Sequence, residues 1–253
     1  MSSLCCCCFS GETDDDERQP LLQPPRPTDP STTESARRIR PSPPDAATRT
    51  HGGRLEMRRV GLSELDQRFS DVAETFHEQR EHHEAMARCV AHLRQCYGCN
   101  HDNTLLLSDC LKKIRVEHGT HYRIALQMKG YDFSLSAVPL QESGEDGDNR
   151  PPPVPGRLQS AQDALRGVSQ AAKMTVSVGT KLQELIGWLL RSEERLAEQV
   201  AKAAPTYQER QRLEENLQNN LRETRRGRQL SLEYKQSAGE VLNEAAQLAG
   251  VEL

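Results

Sequence analysis

The chain has 253 residues, of which 35% are hydrophobic, 28% are charged and only 4% are aromatic. This composition disfavours a single compact enzyme, because a domain of that length would bury most of its residues around one large core. The net charge of −4 offers no case for a nucleic-acid partner. No apolar run approaches the roughly 18 residues needed to cross a bilayer. We therefore expect a partly disordered, helix-rich protein that is not an enzyme and needs no cofactor.

The fourteen prolines divide the chain, because proline is excluded from helix interiors. They cluster from Pro20 to Pro44 and from Pro151 to Pro155, and long proline-free stretches lie between and after these clusters. The predicted organisation has five parts: an acylation segment at 1–9, a disordered arm at 10–55, a first helical hairpin with a short extended segment at 56–138, a disordered Pro-rich linker at 139–156, and a second helical hairpin at 157–253.

The first hairpin is predicted from two stripes of apolar residues at spacings of three and four. One stripe runs from Leu62 to Tyr97, with Ser63 as the expected N-cap and Gly98 as the stop. The other runs from Leu107 to Met128 and ends at Gly130. Because neither stripe can bury its apolar face alone, we expect the two helices to pack on each other.

A short extended segment follows this predicted pair. Tyr131, Phe133 and Leu135 alternate with polar residues, which is the pattern of a half-buried strand. No pairing partner for it is evident, so it is predicted to lie along a groove of the hairpin or of another protein.

The second hairpin begins with a seven-residue repeat over residues 158–200, which is typical of a coiled-coil seam. Pro205 marks the turn into a last helix. The predicted fold is thus all-α, a coiled-coil-like bundle of two antiparallel hairpins, which either pack together or complete their cores with helices of other subunits. The more apolar half of the seam is the predicted binding site for helical partners, namely Leu182, Ile186, Trp188, Leu189 and Leu196.

Four consecutive cysteines near the start of the chain are the predicted lipidation sites: Cys5, Cys6, Cys7 and Cys8. A disulfide framework is disfavoured because neighbouring cysteines pair poorly. A single zinc ion is disfavoured because four adjacent residues cannot surround it tetrahedrally without strain. S-acylation fits best, since two or more acyl chains give stable membrane anchoring where one gives only marginal binding. Residue 2 is serine, so N-myristoylation is not expected.

An acidic stretch and a leucine pair follow the cysteines. Glu17, three intervening residues, then Leu21 and Leu22 make an acidic dileucine sorting signal, preceded by Asp14 to Asp16. In such a signal the two leucines fill apolar pockets on a clathrin-adaptor complex and the acidic residue meets a basic patch. The pattern predicts routing to endosomes, lysosomes or related organelles.

This amino-terminal order of multiple cysteines, acidic residues and dileucine resembles that of lipidated endolysosomal adaptors, namely the scaffold subunit of the Ragulator complex and melanoregulin. The resemblance covers about the first 22 residues and not the helical part. It implies a helical protein held on the cytosolic face of late endosomes, lysosomes or lysosome-related organelles. The chain departs from the Ragulator scaffold by lacking the N-terminal glycine that carries myristate.

Two further features have competing interpretations. Residues 37–59 carry seven arginines against two acidic residues, which indicates either an anionic-membrane contact or a mixed, solvated arm. Cys96, Cys99, His101 and Cys110 have the chemistry of a zinc site, but the spacing lacks the second close pair of a standard finger. Small buried thiols in a helix interface are the favoured interpretation, so no metal is predicted.

The main functional hypothesis is a non-enzymatic, acyl-anchored adaptor or complex subunit on late endosomal or lysosomal membranes. It would bind the membrane, clathrin-adaptor complexes and helical protein partners. The alternative is a coiled-coil cytoskeletal or membrane-tethering protein at the plasma membrane or Golgi. A third hypothesis, a small metal-binding or redox protein, rests on Cys96, Cys99, His101 and Cys110.

Overall fold

The computed structural model describes residues 53–99, 107–140 and 154–251. Five helices and one two-stranded sheet occur in these ranges, so the prediction of a mostly helical protein is confirmed. The elements are α1 (Ser63–Tyr97), α2 (Ser108–His118), β1 (Tyr122–Lys129), β2 (Asp132–Pro139), α3 (Gly156–Arg191), α4 (Glu193–Ala203) and α5 (Tyr207–Ala249). No described helix combines the length and apolar character that spanning a bilayer requires.

Several predicted helix boundaries are found where the local residues placed them. Helix α1 ends at Gly98, whose φ of 57° is the left-handed conformation that glycine adopts without strain. Helix α5 follows Pro205 and begins after Thr206, whose hydroxyl accepts a hydrogen bond from the Glu209 N–H. The expected N-cap at Ser63 is wrong, because Leu62 occupies that position and makes no side-chain cap.

The pairing predicted for the first hairpin is wrong. Helix α1 packs mainly along α3 and also against α5, and only weakly against α2. Hydrogen bonds from α1 to both neighbours show the alignment: Gln79 donates to the carbonyls of Thr175 on α3 and Ser231 on α5. The three long helices therefore form one bundle. Because the start of α1 packs with the end of α3 and the start of α5, α3 runs opposite to the other two.

The second stripe, predicted to be one helix, is a helix only as far as His118, and a β-hairpin follows. Tyr122, Ile124 and Leu126 are buried at a spacing of two, which is the strand period. Strand β2 pairs with β1 in antiparallel register, so the extended segment does have a partner, and that partner is the preceding segment. The apolar residues of 121–128 fit both a helical and a strand period. The two-residue loop at Gly130 favours the strand, because it is typical of a β-hairpin.

Side chains from α3 cover the free edge of β2. The Ser169 hydroxyl accepts a hydrogen bond from the Phe133 N–H at 2.8 Å, and the Gln162 amide donates to the Leu135 carbonyl at 3.1 Å. These bonds satisfy main-chain groups that an edge strand would otherwise present for aberrant pairing. The hairpin is thus bound to the bundle through its backbone as well as its apolar face.

The bundle has two hydrophobic clusters separated by a polar layer. One cluster joins the end of α1, the β-hairpin and the start of α3. The other, here called the second hydrophobic cluster, joins the start of α1 to the end of α3, α4 and the start of α5. Gln79, Thr175 and Ser231 lie between them and are fully buried. Gly179 makes room for the Gln79 amide, because a Cβ there would lie 2.3 Å from its nitrogen.

Candidate functional site

The predicted lipidation and sorting residues lie outside the part of the chain that the structure describes; they are Cys5, Cys6, Cys7, Cys8, Glu17, Leu21 and Leu22. Their roles therefore stay predictions. What the structure describes is the place where the chain carrying them joins the bundle. Residues 54–60, here called the docked segment, are extended and packed against α5. The disordered arm is expected to reach residue 55, whereas the docked segment is packed from Leu55 onward.

Two apolar side chains and several hydrogen bonds hold the docked segment. Leu55 and Val60 are both buried in the second hydrophobic cluster. Leu55 lies against Gly227, where a Cβ would approach it to 2.7 Å. The Asn220 carboxamide bonds to both the N–H and the carbonyl of Arg58, each at 2.7 Å. A neighbouring asparagine one turn earlier adds a bond to the next carbonyl of the segment at 2.8 Å.

This main-chain attachment leaves the arginine side chains of the docked segment outside. Arg54, Arg58 and Arg59 are all exposed, and they are the last three arginines of the basic stretch noted in the sequence. Acidic residues lie on or beside the segment, among them Glu56 and Glu74, so the surface there is of mixed charge. The position of the segment on the bundle is fixed, whereas a membrane role for its arginines stays a prediction.

The predicted partner-binding seam is used inside the chain. Leu182, Ile186, Leu189 and Leu196 are fully buried in the second hydrophobic cluster, together with apolar residues of α1 and α5. The prediction that these four side chains bind another protein is therefore wrong, because the chain supplies its own partner helices. The seam is also interrupted at Ser192, whose N–H bonds to two carbonyls at the end of α3.

Trp188, the remaining member of that set, is only partly buried and lines a surface groove of about 600 Å³. We call it the tryptophan groove. Leucines and the indole form its apolar wall, which consists of Leu62, Leu65, Trp188 and Leu196. Its cationic side chains are Arg68, Arg195 and Lys202, and Glu64 is the one acidic residue among the described residues that line it. The Arg68 guanidinium lies 4.0 Å from the centroid of the Trp188 ring, a cation–π contact.

Of the candidate zinc ligands that the structure describes, Cys99 and Cys110 are in contact with each other. The Cys110 thiol is fully buried and is hydrogen-bonded to Cys99, and this burial raises its pKa to about 12. Cys96 instead lies near His92, at 3.7 Å, and His101 is outside the described residues. Within the described ranges no three His, Cys, Asp or Glu side chains are placed to hold a metal ion.

A buried carboxylate is a feature that sequence reasoning missed. Glu244 on α5 accepts hydrogen bonds from the N–H groups of Leu107 and Ser108, at 2.9 and 2.8 Å. These amides begin α2, where unpaired N–H groups and the helix dipole favour a negative charge. The only sequence signal is a glutamate on the apolar face of α5, between Val241 and Ala245.

His83 lies on α1 between the buried residues Gln79 and Met86. Its ring stacks on Tyr234 with centroids 4.5 Å apart. Burial lowers the pKa of His83 below its ordinary value of 6.5, and the charge of Glu84 opposes that shift. The histidine thus favours its neutral form beside the polar layer.

Comparison of the chain with protein-family models, with curated proteins and with solved structures found no match.

Proposed function

We propose that this protein is a non-enzymatic, S-acylated adaptor or complex subunit that is tethered to the cytosolic face of late endosomal and lysosomal membranes. The observation that carries the proposal is one short stretch of sequence, which contains Cys5, Cys6, Cys7, Cys8, Glu17, Leu21 and Leu22. Acyl chains on adjacent thiols supply stable anchoring. The acidic residue and leucine pair supply the organelle address.

The position of the docked segment supports separate roles for the amino-terminal stretch and the helical bundle. The helical bundle holds the chain from Leu55 to Val60, and 31 residues separate Leu22 from Arg54. A stretch of that length can extend to about 100 Å, at roughly 3.3 Å per residue. The proposed address and the bundle are therefore separated in the sequence by a connection long enough for each to act on its own.

Partner binding is assigned to the outer surface of the bundle, because the heptad seam is occupied internally. The described part of the chain has exposed apolar side chains on α2 and the β-hairpin, among them Val116, Tyr131 and Val138. A helical partner protein that contacts this end would not need to open the core. The cytoskeletal or tethering alternative draws on the heptad repeat, and burial of that repeat within the chain removes its main support.

Two variants test the proposal in cells. Replacing all four of Cys5, Cys6, Cys7 and Cys8 with serine should abolish hydroxylamine-sensitive acyl labelling and release the protein to the cytosol. Leu21→Ala with Leu22→Ala should keep the label and the membrane association but move the protein away from late endosomes and lysosomes.

The matched control for the sorting variant is Gln19→Ala, inside the signal at a position that fills no adaptor pocket. It should leave both the acyl label and the location unchanged. Unlabelled thiols in the unaltered protein would refute the proposal.

A further inference from the structure

The register of the β-hairpin fixes which main-chain groups point out of its two edges. The register pairs Tyr122 with Pro139, and just outside it the Leu140 N–H donates to the His121 carbonyl at 2.9 Å. Hydrogen-bonded pairs alternate along an antiparallel ladder, so the main-chain groups of every second residue point away from the partner strand. On β1 these outward-pointing residues, here called the edge residues, include Ile124, Leu126 and Met128.

Helix α3 satisfies the outward groups of β2 but not those of β1. The same alternation points the Phe133 N–H and the Leu135 carbonyl outward from β2, and side chains of α3 bond to both. The outward main-chain groups of the edge residues make no hydrogen bond to any residue that the structure describes. Strand β1 therefore presents donors and acceptors at the strand spacing, which is the arrangement that accepts one more strand.

The side chains beside this edge are cationic. Arg123 and Lys129 are exposed on β1, and neither forms an ion pair with another described residue. Asp132 faces Lys129 across the hairpin, but Lys173 binds that carboxylate at 2.7 Å. Pairing between two copies of β1 would crowd these cations, and like charges on neighbouring strands are destabilising. The charge that disfavours a second copy favours a strand that carries acidic residues.

We infer that the edge of β1 binds an extended, acidic segment of a partner protein, which adds a third, antiparallel strand to the hairpin. The edge residues bind the backbone of this segment. Its residues opposite Arg123 and Lys129 are acidic, because those positions form the pairs without mutual hydrogen bonds, in which facing side chains lie closest. Its alternate residues are apolar, since they continue the buried face of Ile124 and Leu126.

This surface deepens the proposed function by stating the kind of partner that the hairpin end of the bundle binds. The inference rests on the proposed function only in taking the protein to have a protein partner. It depends on neither the acyl chains nor the sorting signal, so it can be tested on the purified full chain made in bacteria.

Amide hydrogen exchange of that chain without any ligand gives the first test. Exchange should alternate along β1, with the edge residues about tenfold faster than the ladder N–H groups of Arg123, Ala125 and Gln127. Equal protection of the two sets would mean that the chain fills the edge itself, and would overturn the inference. Protection of the edge residues that disappears on dilution would assign the edge to a second copy and would overturn it as well.

The probe for the second test is a synthetic peptide of about nine residues in which glutamate alternates with valine. An excess of this peptide should slow exchange at the edge residues by about tenfold and leave the ladder groups unchanged. The control peptide carries lysine in place of glutamate and should give no protection. Absence of protection by the glutamate peptide, or equal protection by both peptides, contradicts the inference.

A charge exchange on β1 tests the selectivity without altering a buried residue. Arg123→Glu with Lys129→Glu should weaken binding of the glutamate peptide by about tenfold and allow the lysine peptide to protect the edge instead. Lys181→Glu with Arg195→Glu changes two exposed residues beside the other hydrophobic cluster, and this control should keep the original preference. Circular dichroism should show the same helical content in both variants. An unchanged preference in the β1 variant would refute the role of its cations.

The outcome is separable from that of the proposed function. Unlabelled thiols in cells would refute the proposed function and leave binding at the β1 edge as measured. Failure of the edge to bind the glutamate peptide would remove this partner surface and leave the acylation and sorting roles to their own tests.

Discussion

Asn220 holds the main chain of Arg58 with both ends of its carboxamide. Its oxygen accepts from the Arg58 N–H and its nitrogen donates to the Arg58 carbonyl, each at 2.7 Å. Asn220 is fully buried on α5, and the two bonds that it makes to the exposed Arg58 are partly buried. This contact fixes the docked segment on α5.

Asn220→Ala should release the docked segment without unfolding the bundle. The substitution leaves two main-chain groups of Arg58 unpaired, at a cost of about 1–3 kcal/mol. Hydrogen exchange of residues 56–60 should accelerate by about tenfold, while exchange in α3 changes little. Asn243→Ala, on an exposed face of the same helix, is the control. Equal exchange in the two variants would show that Asn220 does not hold the segment.

Two of the α-helical glycines, Gly179 and Gly239, should respond to alanine in opposite directions. Gly179→Ala places a methyl group 2.3 Å from the buried Gln79 amide and should destabilise the protein by about 1–3 kcal/mol. Gly239→Ala meets nothing within 4 Å and should gain up to about 1 kcal/mol from helix propensity. Urea unfolding of both variants measures the difference. A Gly179→Ala protein as stable as the original would mean that the polar layer is not closely packed.

Glu244→Ala should loosen the start of α2. The change leaves the N–H groups of Leu107 and Ser108 without their carboxylate acceptor, and the expected cost is about 1–3 kcal/mol. Amide exchange at these two positions should increase more than elsewhere in α2. Glu240→Ala, one turn earlier and exposed, serves for comparison. Equal effects of the two substitutions would argue against a capping role for Glu244.

His83 should make stability depend on pH in the acidic range. Its folded pKa is lower than the unfolded value of about 6.5, so below that value the unfolded chain binds the proton more readily. The contribution of His83 is therefore complete above about pH 6.5 and is lost as the pH falls through that value toward the folded pKa.

The variant that tests this titration is His83→Phe, which keeps a ring against Tyr234 and removes the ionisable group. Urea unfolding at about pH 7.5 and about pH 5 brackets the unfolded pKa. The free energy of unfolding of the variant should fall less between these two pH values than that of the original protein. An identical fall would refute the assignment.

Prediction succeeded where one local period was unambiguous. The stripe from Leu62 to Tyr97 allows only a helix, and Gly98 ends it in the left-handed conformation. Residues 121–128 fit both a helical and a strand period, and the helical choice is wrong. Pairing with strand β2 stabilises the strand, and that contact is not a property of either segment alone.

The candidate sites also differ in how much of each the sequence could predict. Addressing signals such as the cysteine run act as short linear stretches, so the order of residues suffices to propose them. Burial depends instead on which helices meet, and the heptad pattern of Leu182, Ile186 and Leu189 is the same for an internal and an external partner.

The residues that only the tertiary structure reveals are those whose partners are distant in the chain. Nothing near Glu244 or Asn220 in the sequence indicates the amides that they bind, because those amides lie 137 and 162 residues away. Local pattern was enough to predict the helices and to propose the address. The bundle's arrangement determined which surfaces are left for partners, because burial is set by contacts between helices and not by the period of any one of them.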